Sequence, residues 1–228
     1  MNISPEQLKS LLSLALKTAI QLKGKDRFSG RSHSNSLRSA KFVSEVAHQL
    51  MEFYRGEDAN IPFVQQVDES GNKDSGEWLF DISIAESVPL LEGKSKPRVN
   101  TRLIWAVESE YSTRREEFAK DFGKLLCARA VNRLYLNGFN HAIGHEGSFI
   151  ERRTLEVSGF MNRALRYKKG QSLEGISKGN LYLAFWPSPE RDPKGRESLW
   201  DKLVADDALR SLRLYAFDWM AAKFKVVR

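Results

Sequence analysis

The chain has 228 residues, 41% of them hydrophobic, which is enough for one large domain with a substantial core. Lys and Arg number 36 against 29 Asp and Glu, and the resulting charge of +7 is a moderate basic excess that suits a phosphate-rich partner. No apolar run is long enough to span a bilayer, the opening Met1-Asn2-Ile3-Ser4-Pro5 shows no secretory pattern, and the one cysteine, Cys127, excludes an internal disulfide, so a cytoplasmic setting is expected.

Ser4-Pro5-Glu6-Gln7 reads as a helix start, with Ser4 as cap, Pro5 in the first turn and Gln7 three places past the cap. Leu8, Leu11, Leu12, Ala15, Leu16 and Ala19 follow at helical spacing. The Gly- and Ser-rich stretch 24–36 reads as a loop and carries Lys25, Arg27 and Arg31, with Arg38 just beyond; these four are the candidate nucleic-acid contacts. Val43, Val46, Ala47, Leu50, Met51 and Tyr54 form the stripe of a second helix that ends near Gly56. Residues 61–67 and 78–84 read as strands, 89–97 as an irregular link, and 101–110 as the strongest strand of the chain.

An amphipathic helix follows, with Phe118, Phe122, Leu125 and Leu126 on its apolar side. Strands at 131–136, stopped by Gly138, and at 181–186 flank a helix at 148–165. The tail from Leu199 reads as a helix and then a strand near 212–217. Short links among the first three strands favour antiparallel pairing, and the later alternation with helices favours a parallel crossover. The expectation is a single α/β domain over 1–228 with a central mixed β-sheet flanked by helices. Within it, 1–36 is an N-terminal helix and basic loop, 37–186 the core, and 187–228 a C-terminal extension.

The chemistry gathers on two strands. Alternation places Trp78, Phe80, Ile82 and Ile84 on one face of the first and Leu79, Asp81 and Ser83 on the other. Asp81 is thus a carboxylate in an apolar strand, which calls for a partner or a metal. On the next strand Leu103, Trp105 and Val107 share one face, and Ile104, Ala106, Glu108 and Glu110 the other. Glu108 and Glu110 therefore emerge on one side, roughly 6–7 Å apart at the backbone. If the strands are adjacent, Asp81, Glu108 and Glu110 can converge as hard oxygen ligands suited to Mg²⁺ or Mn²⁺. The competing expectation is that they pair with Arg102, Arg114 or Arg115.

This pattern resembles the PD-(D/E)XK nuclease superfamily, the restriction-endonuclease-like fold: an Asp on one core strand, then (D/E)-x-K on the next, then a helix. Asp81 matches the first position, and Glu108-Ser109-Glu110 the second, as an E-x-E variant with Glu where Lys usually stands. The resemblance covers about Val43 to Trp186. It implies Mg²⁺-dependent hydrolysis of phosphodiester bonds, with DNA the expected substrate and restriction or phage defence the expected setting. It also implies Asp81 and Glu108 as metal ligands and Glu110 as ligand or general base.

Two departures stand out: Phe80, not Pro, precedes Asp81, and the Lys is missing. Either Glu110 takes the role of that Lys, or Lys120 or Lys124 reaches back from the following helix, or the site is dead. Of the two lysines, Lys120 is counted with the catalytic set. Glu45, as a first-helix carboxylate, is a weaker fourth ligand. The alternative function is a non-catalytic nucleic-acid-binding or assembly subunit with a degenerate nuclease fold, and a protein-interaction domain with a salt-bridged acidic cluster is a third. A homodimer is expected only if both DNA strands are cut symmetrically.

Other signals are weaker. His141 and His145 are four apart, but Gly138, Asn140, Gly144 and Gly147 favour a loop over a zinc-binding helix. Cys127 reads as a buried, inert thiol. There is no P-loop, no dinucleotide-binding glycine motif after a strand and no G-x-S-x-G elbow. The aromatics at 185–186 and 215–219 read as core packing ahead of base stacking.

Overall fold

Ser4 and Gln7 close a reciprocal capping box: the Gln7 N–H donates to Ser4 Oγ at 3.1 Å, and the Ser4 N–H donates to Gln7 Oε1 at 2.8 Å. This fixes the start of α1 (Pro5–Gln21), whose Leu8, Leu12, Ala15, Leu16, Ala19 and Ile20 are buried. The structure, a computed structural model, describes residues 3–21, 35–55, 63–66, 80–89, 98–110, 114–139, 146–167, 179–188 and 210–228. The remaining elements are α2 (Asn35–Arg55), β1 (Phe63–Gln66), β2 (Ile82–Pro89), β3 (Arg98–Glu110), α3 (Arg115–Cys127), β4 (Asn132–Phe139), α4 (Glu146–Tyr167), β5 (Asn180–Pro187), β6 (Arg213–Asp218) and β7 (Lys223–Val226).

The seven strands form one sheet in sequence order. β1, β2 and β3 pair antiparallel, β3, β4 and β5 parallel, and β5, β6 and β7 antiparallel again. The chain is therefore an α/β protein with a mixed sheet flanked by helices. The parallel centre follows from the two helical crossovers, α3 between β3 and β4 and α4 between β4 and β5. β4 and β5 are buried almost throughout, as strands covered on both faces must be.

Register and alternation sort the side chains into two layers. On one face lie Ile82, Trp105, Leu134, Tyr182 and Trp186, against α2. There Phe42 meets Trp186 with ring centroids 4.5 Å apart, and the Trp105 Nε1–H donates to the Tyr54 hydroxyl at 2.9 Å. On the other face lie Ser83, Ala106, Glu108, Glu110, Arg133, Tyr135, Asn137 and Phe185. α3 and α4 cover this face: Phe118 and Phe122 meet the Tyr135 ring edge-on, and Phe149 meets Phe185. The aromatics at 185–186 and 217 are thus core groups, as their sequence setting suggests.

Several boundaries differ from the sequence reading. β2 starts at Ile82 and runs to Pro89, because its pairing with β3 continues through two irregularities to Pro89↔Arg98. Trp78 and Leu79 lie outside the described residues. β4 does not stop at Gly138; Gly138 pairs with Trp186, and the strand ends at Phe139, whose carbonyl accepts the Ser188 N–H. β7 has no counterpart in the sequence reading. Its four residues bury only Phe224, and the turn before it rests on Ala222 at φ 49° and on Asp218, which accepts the N–H groups of Met220 and Ala221. The Gly-rich loop with Lys25, Arg27 and Arg31, the His141–His145 pair and the expected helix after Leu199 all lie outside the described residues. Arg38 falls on α2, and its side chain is outside the description as well.

Candidate functional site

Asp81 sits on the bend immediately before β2, and continuing the pairs Ser83↔Ala106 and Ile82↔Val107 sets it across from Glu108. Asp81 is part-buried, and its Oδ2 accepts a 2.7 Å hydrogen bond from the Ser109 N–H. The backbone of the E-x-E segment therefore orients the acid of the neighbouring strand. Glu108 is only 2% exposed; on its face of the sheet it pairs in register with Tyr135, and the preceding row is Ala106 and Arg133.

The cation expected near these acids comes from α3. Lys124 Nζ stands 2.9 Å from Glu108 Oε1 and 3.0 Å from Asp121 Oδ1. The contact with Glu108 is an ion pair by distance, but its angle falls short of a directed hydrogen bond to Oε1. Lys120, the lysine counted with the site from sequence, is exposed on the same helix, one turn nearer its N-terminus. Helical geometry explains the difference. Phe118, Phe122 and Leu125 anchor α3 on the sheet, and Lys124 lies at the edge of that stripe over β3.

Burial pushes the Glu108 carboxyl up to about 8, the Asp81 charge adds to this, and the pull of Lys124 is smaller. Burial works to lower Lys124, and its contacts with Glu108 and Asp121 outweigh that and raise it. A raised lysine needs a charged carboxylate beside it, whereas a Glu108 that titrates near 8 is mostly protonated at neutral pH. Asp121 resolves the conflict: it holds the ammonium while Glu108 keeps its proton.

Glu110 lies on the same face two residues on, part-buried, and its backbone carbonyl accepts from Asn137 Nδ2 at 3.4 Å. Among the described residues, no three His, Cys, Asp or Glu side chains form a ready-made group for a metal ion. What is assembled is a pair of acids, Asp81 and Glu108, with one ammonium. Such a pair fits Mg²⁺ or Mn²⁺, which take one or two carboxylates and keep waters or bind substrate phosphate.

Of the arginines weighed as partners of the acids, Arg102 pairs with Glu86 at 3.6 Å and Arg114 with Glu117 at 3.7 Å. Glu45 pairs with Lys41 at 3.1 Å on α2, which covers the opposite face of the sheet and so stands apart from Asp81 and Glu108. Cys127 is exposed at the end of α3, not buried, because the helix terminates there and turns its last residue to solvent.

Two side chains of this face escape the motif-based reading. Tyr135 is paired in register with Glu108, and Asn137 with Glu110. Both are fully buried. The signal that could have found them is in β4 itself: Arg133, Tyr135 and Asn137 alternate with Leu134 and Leu136, a polar face inside a strand buried on both sides. Burial, then the charges of Glu110 and Asp121, hold the Tyr135 phenol well above its ordinary range. No protein-family model matches the chain, and no curated protein and no solved structure matches it.

Proposed function

We propose that the chain is a divalent-cation-dependent nuclease built on a restriction-endonuclease-like core, with Asp81, Glu108 and Lys124 as its centre. The observation that carries the reading is the meeting of Glu108 with Asp81 on one side and the Lys124 ammonium on the other. Two acids and a lysine are the groups such hydrolysis needs, and the lysine missing from the strand is supplied from the following helix.

Asp81 and Glu108 would hold Mg²⁺ or Mn²⁺, which supplies phosphate polarisation and a water of lowered pKa when bound. Glu108 must give up its proton for this, and burial holds that proton more tightly than a free carboxyl does, so cation and proton compete for the site. Lys124 carries a positive charge beside the acids, where it would offset the charge of a phosphodiester. Glu110, on the same face, serves as further ligand or general base. DNA is the proposed substrate, and restriction or phage defence the proposed setting.

Incubation of plasmid DNA with Mg²⁺ or Mn²⁺ tests this. Nicking or linearisation is expected, with loss in Asp81→Ala, Glu108→Ala and Lys124→Ala at unchanged folding. Cutting by all three variants at the wild-type rate would overturn it.

A second reading has one observation behind it. Lys124 already pairs with Glu108, and a non-catalytic nucleic-acid-binding subunit would keep that pair as a structural link. In that case the wild type binds DNA without cutting it at any concentration of either ion.

A further inference from the structure

On the face of the sheet beneath α3 and α4, buried polar atoms without a hydrogen-bond partner among the described residues recur in neighbouring rows: Ser83 Oγ, Tyr135 Oη and Asn137 Oδ1, beside Glu108 Oε1 with its off-angle contact to Lys124. Buried polar groups in folded proteins are almost always satisfied, so such a group concentrated on one face points to partners beyond the described residues, a bound water or ligand among them. Tyr135 is the most informative of these. Its ring is fixed by two edge-on contacts, with Phe118 at 5.1 Å and Phe122 at 5.8 Å, so the hydroxyl has little freedom to seek another partner. Its β4 position is in register with Glu108, one row from Glu110.

We propose that Tyr135 is a positioning residue of the acidic site, whose O–H orients the Glu108 and Glu110 carboxylates through a bridging water for cation binding. The surroundings select the donor role. Glu110, Asp121 and Glu108 all bear on the phenol with negative charge, and Arg153 opposes them. The hydroxyl stays protonated throughout the neutral range and can give only one hydrogen bond to an anion as donor. Partners one step removed from a metal typically change its affinity 10- to 100-fold when they are removed. The inference rests on the reading of Asp81 and Glu108 as ligands.

The experiment is a calorimetric Mn²⁺ titration of the wild type, Tyr135→Phe and Glu108→Ala, with thermal unfolding of each in the absence of the ion. Tyr135→Phe keeps the ring and removes only the hydroxyl. The expected result is Mn²⁺ affinity weakened about 10- to 100-fold with the metal-free melting temperature unchanged or raised. A purely structural hydroxyl would instead lower the melting temperature and leave the Mn²⁺ affinity alone. If Tyr135→Phe binds Mn²⁺ as the wild type does while Glu108→Ala does not, this inference falls and the ligand assignment stands. If the wild type binds no Mn²⁺, both fall.

Discussion

Glu108→Gln should change the pH dependence of stability. The wild-type carboxyl titrates near 8 in the folded protein because it is buried against Asp81, and near 4.5 when the chain unfolds. Below about pH 4.5 it is protonated in both states and has no effect. Between 4.5 and 8 the unfolded chain releases the proton and the folded protein keeps it, so stability falls as pH rises; above 8 the loss is complete. At about 1.4 kcal/mol per pH unit, a window of this width amounts to a loss on the order of 5 kcal/mol. Glutamine has no proton to lose, so the variant lacks this slope.

The assay is urea unfolding of both proteins from pH 5 to pH 9, taking the difference in free energy so that other titrating groups largely cancel. Wild type is expected to lose several kcal/mol relative to Glu108→Gln across that range, with the change centred between 4.5 and 8. A difference that stays flat, or that moves in favour of the wild type as pH rises, would refute the burial argument. It would mean that Lys124 dominates Glu108 and holds it charged.

Three further outcomes follow from contacts away from the acids. Gly179→Ala should destabilise by roughly 1–3 kcal/mol or more, because a Cβ there would lie 2.4 Å from the Val131 carbonyl oxygen and 2.6 Å from that of Ala130, both fixed backbone; a melting temperature equal to wild type would contradict this. Tyr54→Phe leaves the buried Trp105 Nε1–H without its acceptor and should cost about 1–3 kcal/mol, read by denaturant unfolding with unchanged m-value. Ser4→Ala removes one arm of the α1 capping box and should cost about 1 kcal/mol, whereas Ser4→Asp should restore most of it.

The sequence shows the fold wherever one periodicity prevails. The α1 capping box and its leucine stripe, the acid-bearing strand β3 and the apolar β5 all stand where alternation and helical spacing put them. The mixed sheet is legible too, because short links demand antiparallel neighbours and helical crossovers demand parallel ones. Gly138 misleads at the end of β4: glycine weakens a strand on its own, but a central strand paired on both sides tolerates it. β7 is missed because four residues with one buried side chain carry almost no pattern, and only the turn around Ala222 delivers them to the β6 edge.

At the site, alternation puts Glu108 and Glu110 on one face of their strand and Asp81 on one face of its own, and the pairing of β2 with β3 supplies the register that sets Asp81 across from Glu108. Alternation does not choose between Lys120 and Lys124, which share a helix face one turn apart. The choice depends on how far along β3 the helix packs, a tertiary quantity set by Phe118 and Phe122. Tyr135 escapes for a related reason: a tyrosine in a buried strand looks like packing until register places it beside Glu108.

The most direct test of the central claim, that Asp81 and Glu108 form a cation site gated by the Glu108 proton, is a calorimetric Mn²⁺ titration at pH 6.5 in two buffers of different ionisation enthalpy. Saturable binding that releases about one proton per ion is expected, with loss of that binding in Asp81→Ala. Binding without proton release, or binding that survives Asp81→Ala unchanged, would contradict it.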